Sequence, residues 1–133
     1  MTLAPPDSHR DLLERPLFAH LATVTADGAP LVNPMWFLWD DAEGAIKMTH
    51  TKKRHNYRYL QSQPRVAVAI TDPDNQYRYL QLRGTVARIE DDPTGSLYAA
   101  LYSRYRGKQI DEVKDRDVRV ILTIFPDAYR TFG

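Results

Sequence analysis

The chain has 133 residues, 43% of them hydrophobic and 26% charged, with 18 Lys plus Arg against 17 Asp plus Glu, a formal net charge of +1 and no cysteine. That length makes one domain burying about two-thirds of the surface its unfolded chain exposes, so a ligand must sit in a groove of this fold or between copies of it. Without cysteine there is no disulfide, thiolate metal site or Cys nucleophile, and the near-neutral balance is not that of a general nucleic-acid binder. No apolar run reaches membrane-spanning length and Met1–Arg10 lacks a signal peptide's apolar stretch, so the expectation is a soluble, cytoplasmic protein.

Residues 1–7, MTLAPPD, have no period and are expected to form a flexible lead-in to a single domain spanning 1–133. Asp7 or Ser8 can cap a short helix to Glu14, with Leu12 and Leu13 inward and Pro16 as its stop. FAHLATVT (18–25) and LVNPMWFLW (31–39) flank Asp27-Gly28, a hairpin signal because Gly accepts the positive φ of a tight turn. After a second turn at 40–44, AIKMTHT (45–51) alternates as a third strand, so the first fifty residues read as a meander with 31–39 at its centre. KKRHNYRYLQSQ (52–63) lacks alternation and reads as a helix with Thr51 as N-cap, Tyr57 and Leu60 inward and Pro64 as its end.

RVAVAIT (65–71) reads as an interior strand, and YRYLQLRGTVARIE (77–90) as a long one in which Gly84 marks a bulge where a sheet curls. Asp92-Pro93 opens a helix to Tyr105 with Leu97, Ala100, Leu101 and Tyr105 at helical spacing. Residues 106–117 read as a charged loop, and 118–132 as a last strand kinked near Pro126. YRYLQ occurs both at 57–61, in the helical run, and at 77–81, in the alternating one, so context decides its conformation. The sum is a mainly β, α+β fold: a six-stranded antiparallel barrel or curled sheet with flanking helices.

Thr49-His50-Thr51-Lys52-Lys53-Arg54 sets three cations at the expected start of a helix, where the macrodipole is already positive. The local cost is roughly 0.3–1 kcal/mol per charge. An anion, phosphate first, would explain it, held by free N–H groups, Thr hydroxyls and basic side chains; the alternative is a solvated basic face. Val32-Asn33-Pro34-Met35-Trp36 puts a proline in a strand, which belongs at an edge or bulge, next to a flat polarisable wall for a ring. The alternative is that Met35, Trp36 or Phe37 fills the barrel. If 31–39 lies beside 45–51 the two features adjoin, and ring plus phosphate describes a nucleotide-like or flavin-like ligand. His50 and His55 have the wrong spacing for a metal pair, no Ser sits in a nucleophile motif, and no Gly-rich dinucleotide fingerprint occurs. Tyr98, Tyr102 and Tyr105 share a helical spacing and either pack on the barrel or line a substrate pocket.

FAHLATVTADGAPLVNPMWF, then MTHTKKRHNYRYLQSQPRVAVAITDPDNQYRYLQLRG, then LYSRYRGK with VRVILTIFPDAYR span nearly the whole chain. In order and spacing this combination resembles the split β-barrel flavin and deazaflavin oxidoreductases, the pyridoxamine 5'-phosphate oxidase-like superfamily, and most of all its branch of coenzyme F420-dependent enzymes. The resemblance implies an FMN-binding split-barrel fold and a homodimer with the cofactor in a groove between subunits. It implies hydride transfer from bound coenzyme F420 to an electron-poor small organic acceptor; the alternative is FMN in the same groove, in an oxidoreductase or in a flavin-binding protein without turnover. It places the phosphate-bearing tail on Thr49, Thr51, Lys53 and Arg54, with Asn56 beside it. The ring then lies along Asn33, Pro34, Met35 and Trp36, and Tyr79 closes the groove from the partner chain. The chain departs from the family where many relatives carry Lys at Asn56 and Asn at Tyr59, and Lys52 or Lys53 is expected to make up the missing phosphate contact. The proton of the reaction would come from solvent or a tyrosine, and no metal is implied.

Overall fold

The structure, a computed structural model, describes residues 3–133. Of the expected lead-in, Met1 and Thr2 lie outside the described residues. Leu3 donates its N–H to the Pro126 carbonyl at 3.4 Å and accepts the Tyr129 hydroxyl at 3.4 Å. A 3-10 turn at Asp7–His9 and the short helix α1 (Asp11–Glu14) follow, with Leu12 and Leu13 wholly buried. The chain then forms β1 (Ala19–Val24), β2 (Pro30–Met35), β3 (Leu38–Asp40), β4 (Ala45–Thr51), α2 (His55–Ser62), β5 (Arg65–Asp72), β6 (Asn75–Asp91), α3 (Ser96–Arg106) and β7 (Arg119–Phe132). All pairings are antiparallel, in one seven-stranded sheet of order β2-β1-β5-β6-β7-β4-β3.

The expected six strands become seven because 31–39 is not one strand. β2 pairs with β1, with Asn33 opposite Leu21, while β3 pairs with β4, with Leu38 opposite Lys47. The expected meander is therefore two hairpins at opposite edges of the sheet. The ladder breaks at Trp36 and Phe37 because a side chain takes the strand's place: the Tyr105 hydroxyl accepts the Phe37 N–H at 3.1 Å and donates to the Leu17 carbonyl at 2.6 Å. Composition could not reveal this, since the residues from Pro34 to Trp39 are apolar without a break.

The break shapes the molecule. β2 and β3 stand at the two ends of the sheet order and only two residues separate them, so the sheet must curl until its edges meet, although no ladder joins them. Alternate residues of β1, β4, β5 and β6 then point into one core, where Leu21, Phe37, Met48, Ile70, Leu80 and Leu122 are buried. Gly28 supplies the positive φ (91°) of the β1–β2 turn.

Both longer helices start later than their sequences suggest. The backbone of Lys52 stays with the sheet, its N–H bonded to the Val118 carbonyl at 3.0 Å, and α2 begins at His55 with Arg54, not Thr51, as N-cap. Tyr57 packs against the core and Leu60 is buried, as expected. α3 begins at Ser96 after a left-handed Gly95, yet Asp92 still caps it from outside: its carboxylate accepts the N–H groups of Ser96 (3.1 Å) and Leu97 (2.9 Å). Leu97 and Leu101 are buried, whereas Ala100 is exposed, turned off the face they share. Among the described residues no helix is long and apolar enough to cross a membrane.

The bend at Gly84 is where the sequence reading placed it. The β6–β7 register shifts between Arg83 and Gly84, with Gly84 opposite Pro126. A Cβ there would stand 2.5 Å from the Phe125 carbonyl oxygen, so the strands can approach this closely only at glycine. Gly84→Ala is expected to destabilise the fold by about 1–3 kcal/mol, the range for overpacking, read as a lower urea midpoint at unchanged slope.

Candidate functional site

β7 pairs with β4 from Ile46 to Thr51, but β3 covers only Ala45–Lys47 of the other edge. The far half of β4 and the outer edge of β2 are thus both unpaired, and they form the two sides of a groove. One half, about 520 Å³, is lined by Leu31, Val32 and Asn33 of β2 and by Thr51, Lys53, Arg54, His55 and Asn56. The other, about 320 Å³, is lined by Pro34, Met35 and Trp36 together with Thr49, His50, Tyr98 and Arg119. Arg54 lines both halves, so the groove is continuous.

The basic half owes its character to the turn at 52–54. The three cations separate there: Lys52 turns away to an ion pair with Asp91 at 2.7 Å, while Lys53 and Arg54 make no ion pair among the described residues. Arg54 caps α2 without a side-chain hydrogen bond; the Tyr57 N–H bonds the Arg54 carbonyl at 3.2 Å, while the N–H groups of His55 and Asn56 precede any intrahelical acceptor. Beneath this turn His50 and Asn56 are both buried, and the His50 ring donates through Nε2 to Asn56 Oδ1 at 3.1 Å. The bond pins α2 to β4. Burial holds the His50 ring below its ordinary value, against the amide acceptor and with the aid of the nearby Arg54 and Arg119 charges, so the ring is neutral at pH 7.

The aromatic half is built by α3 packing over the Trp36 bridge. Trp36 does not fill the core, which Phe37 occupies; its ring stacks on Tyr105 (5.0 Å between centroids, 11° between planes) and lies 6.4 Å from both Tyr98 and Tyr102. Opposite, the Arg119 guanidinium sits 4.4 Å over the Tyr98 ring and is gripped by Asp115 through two hydrogen bonds of 2.9 and 3.0 Å. Burial pushes the Tyr105 phenol above its ordinary range, and its hydroxyl is committed to backbone. It is structural. Tyr98 is the phenol that lines the groove.

Asn33, Pro34, Met35, Trp36, Thr49, Thr51, Lys53, Arg54 and Asn56 are thus gathered in one continuous groove. Tyr79 is not among its lining residues in the same chain; it stacks on Phe132 at 5.8 Å on the far end of β6 and β7. Of the three tyrosines offered for a pocket, Tyr98 lines the groove; His50 and Arg119 line it without having been singled out for it. Arg119 left no sequence signal, because it opens a strand some seventy residues from Thr49 and reaches the groove only through the β4–β7 register.

A family model described as pyridoxamine 5'-phosphate oxidase matches residues 5–132. The chain belongs to that family. A solved structure named F420 reductase is 47% identical over 95% of this chain and 98% of its own, with a TM-score of 0.89. A conserved hypothetical protein from Mycobacterium tuberculosis is 24% identical over 99% of this chain and 86% of its own, with a TM-score of 0.77. General Stress Protein 26 from Bacillus anthracis, at 19% identity, 92% and 89% coverage and a TM-score of 0.70, shares the fold. No curated protein sequence matches the chain.

A histidine held below its unfolded value of 6.5 makes the unfolded state the better proton acceptor, so it lowers stability as pH falls through 6.5 towards the folded value. Replacing His50 by Gln, which can still donate to Asn56, should flatten the stability profile between pH 7 and 5 relative to the parent. Urea denaturation across that range checks it, and parallel profiles would show that His50 is not the group responsible.

Proposed function

We propose that the chain is a homodimeric oxidoreductase that binds a phosphate-bearing flavin-type cofactor in this groove, the deazaflavin coenzyme F420 as the first reading. The observation that carries the proposal is the donor set of the basic half. Thr51, Lys53, Arg54 and the N–H groups of His55 and Asn56 are all donors, and among the described residues no carboxylate lines that half. Such a set fits a phosphate, whose oxygens only accept. The adjoining wall of Pro34, Met35 and Trp36 fits a planar ring at a phosphate's reach, and the F420 reductase with 47% identity favours the deazaflavin.

When bound, such a cofactor supplies a hydride carrier, here towards an electron-poor small organic acceptor. This chain's part is to bind, orient and desolvate. Lys53 and Arg54 hold the phosphate, the His50–Asn56 bond holds the turn that carries them, and Trp36 with Tyr98 excludes water from the reacting end. The groove contains no carboxylate to act as a base, so the proton comes from solvent or from the Tyr98 hydroxyl.

Support for the dimer comes from the rim. Phe18, Leu31 and Val32 are 55%, 39% and 64% exposed beside a groove open to solvent, an apolar edge that a second copy would cover while bringing its own Tyr79. FMN is the second reading, favoured by one feature: Asn56 is buried against His50 and adds no charge, leaving two free cations for a short phosphate.

Titration of purified protein with coenzyme F420 and with FMN tests the reading and ranks the cofactors. Replacing Lys53 and Arg54 together by Ala should weaken binding at least about a hundredfold, given roughly 1.5–3 kcal/mol per charged hydrogen bond. Unchanged affinity would remove the phosphate from this turn. Sedimentation should show a dimer, and a monomer binding cofactor at full affinity would refute the shared groove.

A further inference from the structure

The guanidinium of Arg119 is the one feature of the groove that the phosphate and the ring leave without a task. It is held more firmly than a surface arginine. Asp115 grips Nε and one terminal nitrogen, the Tyr98 ring lies flat against it at 4.4 Å, and its side chain is 14% exposed. Its other terminal nitrogen is directed at Thr49 Oγ1 at 3.4 Å, a weak contact on the slot side. Trp36, its ring 6.4 Å from Tyr98, lines the same slot. The slot, this half of the groove of about 320 Å³, is therefore lined both by an indole and by a pre-oriented, partly bonded guanidinium, with the Tyr98 ring beside each. The charge balance is cationic: Arg54 and Arg119 line the slot, Asp115 offsets one of them from behind, and His50 is neutral.

We propose that this half of the groove selects flat acceptors whose reducible π bond is conjugated to a strongly accepting oxygen (unsaturated or quinone-type carbonyls and unsaturated carboxylates), and that Arg119 is the residue that selects them. The inference rests on the proposed function for the reaction and adds the acceptor class. A planar fork held in place loses little freedom on meeting an oxygen pair, which a lysine could not match. The same charge serves the reaction. Hydride arrives at an acceptor carbon as a new C–H bond forms, a carbon–carbon or carbon–oxygen π bond breaks, and its electron pair moves to the oxygen facing Arg119. The acceptor is reduced, the reduced deazaflavin or flavin is oxidised, and the oxyanion takes its proton from water. A cation beside that oxygen meets charge where it develops.

The test needs no cofactor. Naphthalene-2-carboxylate and the neutral naphthalene-2-carboxamide are titrated against the full chain, followed by tryptophan emission and by calorimetry. The parent should bind the carboxylate at least tenfold more tightly than the amide. Arg119→Met should bring that ratio close to one and Arg119→Lys should reduce it, while both keep the parent's affinity for inorganic phosphate, which also shows that the groove is intact. Lys53→Ala should do the reverse, losing phosphate and keeping the ratio. Equal binding of the two probes by the parent overturns the proposal, as does a ratio that survives in R119M or collapses in K53A. If the ratio behaves as expected but neither F420 nor FMN binds, the proposed function fails and the slot stands. If a cofactor binds and the ratio is one, only the slot fails.

Discussion

Everything in this fold follows from the two residues between β2 and β3. They join the two ends of a seven-stranded sheet, and the Tyr105 hydroxyl holds them out of the ladder by occupying the backbone groups of Phe37 and Leu17. Phe37 then falls into the core, where burying such a side chain is worth about 1.5–3 kcal/mol. Trp36 falls outside, onto α3. One hydroxyl thereby decides that the sheet curls, that its edges meet without pairing, and that a groove opens between them. The groove is the seam of the curled sheet, which is why unpaired backbone, a proline-bearing edge and a helix N-terminus are all found there.

The distribution of charge reinforces this. Most basic residues outside the groove are matched on the surface: Arg78 with Asp11 and Asp72, Arg15 with Asp72 and Asp74, Lys47 and Arg88 with Glu43. Arg78 holds the Asp11 carboxyl below its usual range, and Asp72 is lowered first by a backbone N–H and then by the same arginines. Exposed pairs of this kind contribute little to stability singly, about 0–1 kcal/mol. In the groove Arg119 is likewise paired with Asp115, whereas Lys53 and Arg54 make no ion pair among the described residues.

Much of the site was legible locally. Three cations after an alternating strand and a proline beside Met35 and Trp36 are anomalies that local structure alone does not explain, and both proved to line one groove. Their adjacency has another cause than strand pairing: only Leu38 and Trp39 of 31–39 pair with 45–51, and the two features meet across an open seam instead. Lys52 was indistinguishable from Lys53 until Asp91, some forty residues away, claimed it. His50 and Arg119 carry no pattern at all, since a single polar residue in an alternating strand reads the same whether it faces solvent or a groove.

What the sequence determined by itself is the class of every element and the positions of its turns, because alternation, Asp27-Gly28 and Gly84 act over a few residues. YRYLQ, helical at 57–61 and extended at 77–81, marks the limit of that power. Only the tertiary structure decided how many strands there are, which cation is free and which arginine faces a ligand. Each depends on a partner distant in sequence: Tyr105 for Phe37, Asp91 for Lys52, Asp115 for Arg119. Local patterns report which side of an element is apolar; they hold no information on what that side, once folded, will meet.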